Sequence, residues 1–187
     1  MNDLFTAAKE AVDCMKNRYW ECCVIGGLAV QRWGEPRTTL GADIVLLADW
    51  GRETAYITAI LDRFESRIAG ALEFAVANRV LLIQASNGAS VDVSLGVLPF
   101  EVRMVGRAVA MEFAPGLVLP CCSADDLIVM KAFAGRPRNW IDAEGVVARH
   151  PKLDVQYILS ALADLGELKG DQTIVARAAQ LLQGHLQ

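Results

Sequence analysis

The 187-residue chain is 53% hydrophobic and 21% charged, enough apolar material for a packed core, which excludes a disordered chain. Its 18 basic and 22 acidic residues give a net charge of −4, the wrong sign for a general nucleic-acid coat protein, although a local basic pocket stays compatible with it. Apolar runs such as Val80-Leu81-Leu82-Ile83 are too short to span a bilayer, and the N-terminus lacks the basic and apolar regions of a secretory signal; no membrane association and a cytoplasmic location are expected.

In chain order, Asp3 to Lys16 has helical spacing through Leu4, Ala7, Ala8, Ala11, Val12 and Met15. A β-rich run, Glu21 to Ile25, ends in Gly26-Gly27, and a short helix is expected from Leu28 to Trp33. Pro36 breaks the loop that follows. A strand over Ala42 to Leu47 and an amphipathic helix over Glu53 to Ile68 come next. Val80 to Ala85 and Ser90 to Leu95 flank Asn87-Gly88, the signature of an antiparallel hairpin. A further strand pair is read at Arg107 to Phe113 and Leu117 to Pro120.

The last third reads as helices over Ala124–Ala134, Trp140–His150, Val155–Leu165 and Gln172–Gln183. The expected fold is α/β (α+β): a small mixed twisted sheet with helices mainly on one face, then a helical C-terminal portion. The expected division is 1–120 for the α/β core and 121–187 for the helices packed on it as a single compact unit. The five cysteines are odd in number, form no CxxC, and are joined by only two histidines, so they read as small buried residues rather than zinc ligands.

Three features carry chemistry. Gly26-Gly27 closes a strand and opens a helix, where paired glycines let backbone N–H groups approach a phosphate; tight turns use the same pair. Asp43 lies in the next strand, and Asp92 lies in Val91-Asp92-Val93-Ser94. Aspartates within apolar strands are costly unless they are paired or hold a cation. The alternation around Asp92 gives one polar face, which is either solvent-facing or a cleft.

Gly26 to Thr39, Gly41-Ala42-Asp43, Asp92 to Glu101 and Ser123 to Asp142 together resemble the nucleotidyltransferase superfamily of polymerase-β-like fold, within it the AbiEii-type toxin family. The likeness spans roughly residues 20 to 150. It implies metal-dependent transfer of a nucleotidyl group from an NTP to an acceptor, tRNA or protein, by a transferase acting as the toxin of a toxin–antitoxin system with a cognate antitoxin. It implies Mg²⁺ or Mn²⁺ on Asp43 and Asp92, catalytic roles for Asp43, Asp92 and Lys131, and nucleotide binding by Gly26, Gly27, Arg37, Lys131, Arg136 and Asp142.

The family pattern is departed from at one point. The first acid of its Asp-x-Asp pair is Gly41 here, on the face that Asp43 occupies. Loss of that carboxylate weakens the expected metal site. The second reading is therefore a catalytically degenerate homologue that binds nucleotide or a partner without turnover. No neighbouring acid obviously substitutes: Asp49 shares the face of Asp43 but lies about 20 Å along the strand, and Glu35, in the preceding loop, could swing in although the resemblance gives it no such role.

Lys131 lies on or beside the apolar stripe of its helix, so it either snorkels outward or points into a phosphate pocket. Asp142 also fits a plain helix start with Asn139 as its cap. Arg136 and Arg138 flank Pro137 in what reads as a solvated basic turn, and with Lys131 they form a local positive cluster suited to phosphates. Trp33, Trp50 and Trp140 read as core or rim packing rather than base-stacking platforms.

Overall fold

The structure, a computed structural model, describes residues 2–185. The chain divides into two compact units: Met1–Leu28 with Thr38–Cys122, and Ala29–Arg37 with Ser123–Gln187.

The first unit holds the sheet. Its elements are α1 (Asn2–Lys16), β1 (Cys22–Ile25), the start of α2 (Gly26–Trp33), β2 (Gly41–Leu47), α3 (Glu53–Leu61), β3 (Glu65–Ser66), α4 (Ala71–Asn78), β4 (Val80–Gln84), β5 (Ser90–Gly96), α5 (Pro99–Gly106), β6 (Val109–Ala114) and β7 (Leu117–Cys121). The seven strands lie in the order β3-β4-β5-β2-β1-β7-β6. The pairings β2·β5 and β1·β7 are parallel and the rest antiparallel, a mixed sheet. The two faces differ as period-two alternation requires. Ala42, Ile44 and Leu46 on β2, Val91 and Val93 on β5, and Leu81 and Ile83 on β4 are fully buried. The helix α1 packs on β2 and β5 and buries Ala8, Ala11, Val12 and Met15. Asp43, Ser90, Asp92 and Ser94 take the other face and are half-buried.

The hairpin around Asn87-Gly88 is present as β4 and β5, with Gly88 at φ 81° in the turn. The helix expected over Glu53 to Ile68 is shorter: α3 stops at Leu61, and Glu65–Ser66 instead pair with Gln84 and Ile83 as the edge strand β3. That pairing is a tertiary demand, and it overrides the helical spacing of a segment that contains no Gly or Pro. Two helices, α4 and α5, stand where none was expected. The start of α5 is set by Pro99 at its first position and by Glu101, whose Oε2 accepts the Val97 and Leu98 N–H groups at 2.7 and 2.8 Å.

The second unit contains the helices α6 (Ala124–Ala134), α7 (Pro137–Arg149), α8 (Val155–Lys169) and α9 (Thr173–Leu181), followed by a short 3₁₀ turn over Gln183–His185. Ser123 caps α6 by accepting the Asp126 N–H, and Gly135 at φ 70° ends it. The expected start of α7 is corrected: the helix begins at Pro137 with Arg136 as its N-cap residue, so Asn139 lies inside the first turn and caps nothing. Proline at the first helical position needs no N–H partner, which lets the helix start three residues earlier. Leu127, Ile128, Ala132, Trp140, Ala143, Val146, Ile158, Leu162 and Leu165 form this unit's core. All five cysteines are buried and none is in a disulfide, and burial pushes the Cys22 thiol up to about 11 against the pull of Lys16. Among the described residues, no helix is long and apolar enough to cross a membrane.

Candidate functional site

In the first unit the site is one row across the sheet. Ile25 opposes Asp43, Asp43 opposes Asp92, and Asp92 opposes Leu82. The Arg67 N–H donates to the Leu82 carbonyl at 3.1 Å and adds one more residue to the row. Directly opposed residues project from the same face. The parallel pairing of β2 with β5 therefore sets the two aspartates side by side, one strand spacing of about 4.8 Å apart. Arg67, from beyond β4, forms an ion pair with the Asp92 Oδ1.

Gly26-Gly27 meets this row at Asp43. Gly26 has φ 62°, in the left-handed region that favours glycine, and a Cβ there would lie 2.0 Å from Asp43 Oδ2. A Cβ on Gly27 would lie 2.3 Å from Thr39 Oγ1. Both positions must therefore be glycine for the turn to close on Asp43 and Thr39. The Gly27 N–H, at the first turn of α2, donates to Asp43 Oδ2 at 3.3 Å, and Thr39 Oγ1 donates to the Gly41 carbonyl at 3.2 Å. The helix start thus already serves an anion, the Asp43 carboxylate. Gly41 stands opposite Ser90, and no acid flanks Asp43 at that position.

In the second unit, Asp142 is the centre of a buried ionic cluster. Its Oδ1 accepts Arg37 Nε at 2.7 Å, and its Oδ2 accepts Arg37 Nη2 at 2.8 Å and Lys131 Nζ at 2.8 Å. The Asp142 side chain is only 3% exposed. Burial alone would raise its pKa; the hydrogen bonds and charges of Arg37 and Lys131 outweigh that and hold the carboxyl below its ordinary value. Lys131 does not snorkel: it is buried with its ammonium on Asp142. Arg136 is exposed and borders a cavity of about 240 Å³ with Trp140, Lys169, Asp171 and Arg177. Trp140 is core, as expected, with the Arg177 guanidinium 4.2 Å from its ring centre. Glu35 is held by Arg149, which donates to Oε1 at 2.9 and 3.0 Å.

Seven of the eight sequence-predicted residues thus fall into two sets: Gly26, Gly27, Asp43 and Asp92 converge in the first unit, and Arg37, Lys131 and Asp142 converge in the second; Arg136 joins neither and is exposed at its own cavity. Arg67 and Thr39 belong to the first set and were not foreseen. The signal for Arg67 was hidden because its segment reads as helix, whereas Thr39 adjoins the motif and could have been found there. Among the described residues, no group of three or more His, Cys, Asp or Glu side chains is arranged to hold a metal ion.

No protein-family model and no curated protein matches the chain. Among solved structures it is similar to an antigenic nucleotidyltransferase-like protein from Paracoccidioides brasiliensis, at 14% identity over 97% of both chains with a TM-score of 0.56. It is also similar to the antibiotic-resistance factor ANT(2'')-Ia, at 13% identity over 90% of this chain and 94% of that one with a TM-score of 0.57. With β2 and β5 carrying opposed aspartates and a Gly-Gly helix start beside them, the chain has a nucleotidyltransferase-like fold.

Proposed function

We propose that the chain is a nucleotidyltransferase: it takes a nucleoside triphosphate at the acid row and passes the nucleotidyl group to an acceptor. The observation that carries this reading is Asp43 directly opposite Asp92 on adjacent parallel strands, with the Gly27 N–H on the Asp43 carboxylate. Such transfer depends on positioning and on neutralising phosphate charge rather than on covalent chemistry by the protein. Asp43 and Asp92 are the catalytic acids in this reading. Lys131 and Arg37, pinned by Asp142, are cations of fixed geometry, and Arg136 adds an exposed one. A tRNA or protein acceptor and a toxin role with a cognate antitoxin follow from the AbiEii resemblance and rest on it; cytoplasmic action rests on the sequence expectation alone.

Mg²⁺ or Mn²⁺ is the cofactor this fold implies, and the donor set does not fit a resident two-ion centre. Two carboxylates are present where the pattern has three, and one of them is paired with Arg67. No step is therefore assigned to a protein-held ion. The same observation favours a second reading, a degenerate homologue that binds nucleotide without turnover.

Isothermal titration with each NTP, with and without Mg²⁺, together with labelled-NTP transfer to tRNA and protein, tests both readings. Binding lost in Asp43→Asn and transfer of label support the first. Binding without transfer selects the second, and no binding of any NTP refutes both.

A further inference from the structure

The acid row already contains a cation. Arg67 lies two strands from Asp92, with Leu82 between them, and its guanidinium closes on the Asp92 Oδ1. Two strand spacings are about 10 Å, a span that an extended basic side chain covers. The pair is part-exposed, with 28% of the arginine side chain and 41% of the aspartate side chain reached by water. At the other end of the row, Gly41 offers no carboxylate. Position 41 supplies no acid, and a guanidinium stands on one of the two aspartates of the row.

We propose that Arg67 is the resident counter-cation of the Asp43–Asp92 pair, and that it sets the cation specificity of the site by denying the pair a divalent ion of its own. The inference rests on the reading of the acid row as the nucleotide site. With Arg67 in place, the row carries two negative charges and one positive. Divalent affinity in oxygen-ligand sites follows ligand charge count, so this row is poor in the quantity that binds Mg²⁺ or Mn²⁺. A divalent ion on Asp92 would also sit beside the Arg67 guanidinium, and the like charges repel.

The test is Mn²⁺ titration of the full chain, by calorimetry and by water-proton relaxation, on the wild type, Arg67→Gln, Arg67→Lys and Arg67→Gln combined with Asp92→Asn. The wild type and Arg67→Lys are expected to show no saturable Mn²⁺ site tighter than about 1 mM. Arg67→Gln is expected to gain one site at least about tenfold tighter, and the Asp92→Asn background is expected to abolish the gain. A Mn²⁺ site in the wild type as tight as that in Arg67→Gln would overturn the proposal, as would a gain that survives Asp92→Asn. If Arg67→Gln fails to fold, the wild-type titration still decides, because a submillimolar Mn²⁺ site there refutes the proposal unaided. NTP titration with Mg²⁺ and in EDTA runs alongside. Failure in both would remove the nucleotide reading, whereas the Mn²⁺ result bears on Arg67 alone.

Discussion

The Asp142 carboxylate accepts three charge-assisted hydrogen bonds where water barely reaches, two from the Arg37 fork and one from Lys131. Removing the negative charge would leave two cations facing a neutral amide, so Asp142→Asn is expected to cost about 3 kcal/mol of unfolding free energy in a denaturant titration. The same contacts make a prediction about pH. The folded carboxyl titrates below its unfolded value, so its contribution is fully present above the unfolded pKa and is lost as pH falls through the folded one. Below about pH 4, wild-type stability should therefore fall more steeply with acid than that of Asp142→Asn, as melting curves across pH 2 to 6 would show. A parallel fall in the two chains would mean that Asp142 is not charged in the fold. At this scale the sequence was partly readable. Asp142 and Lys131 were visible because motif and stripe position singled them out, but their mutual pairing was not, since a contact between residues 11 apart on different helices depends on how those helices pack. Arg67 was unreadable for a related reason: its role exists only because the sheet places it in the row of Asp92.

Elements were most legible where local chemistry and tertiary demand agree. The helix α6 begins and ends as expected, because Ser123 supplies a side-chain cap and Gly135 a left-handed stop. The hairpin was legible from Asn87-Gly88 between two alternating runs. The edge strand β3 was not, because two residues leave no periodicity and only pairing with β4 defines them. The helix α5 was missed although its cap was in plain view: Pro99 at the first position and Glu101 at the third are a helix-start pattern. That cap is testable. Glu101 Oε2 serves both the Val97 and Leu98 N–H groups, so Glu101→Ala orphans two part-buried donors. The expected loss is about 1–2 kcal/mol, with earlier amide exchange at Val97 and Leu98. Unchanged exchange there would show that water replaces the carboxylate without cost.

For the whole molecule, fold class and the strand-to-helix turn were readable because apolar alternation and glycine placement are local signals, while strand order was not, since it is set by which edges find partners. The chain as a whole is acidic, with a net charge of −4, and Gly41→Asp makes it more so at the place where acids already meet. Gly41 has no left-handed backbone, so the substitution is sterically a matter of space alone. A Cβ there meets the Ser90 carbonyl at 3.2 Å, a tight contact that the paired strands must ease by a few tenths of an ångström. The new carboxylate would share the face of Asp43 and Asp92, and three like charges on one face repel. Crowding and repulsion together should lower metal-free stability by about 1–2 kcal/mol. For a chain of this size that is a melting temperature roughly 2–8 °C lower in EDTA. Millimolar Mn²⁺ should restore most of the loss in Gly41→Asp, because binding to the folded state alone raises its stability by mass action. It should leave the wild type almost unmoved, because there Arg67 already stands on Asp92 and no third acid is present. An equal metal response in both chains would show that Gly41 is not where an acid is missing, and a Gly41→Asp chain that Mn²⁺ fails to stabilise would show that the acid row is no cation site even with its third carboxylate supplied.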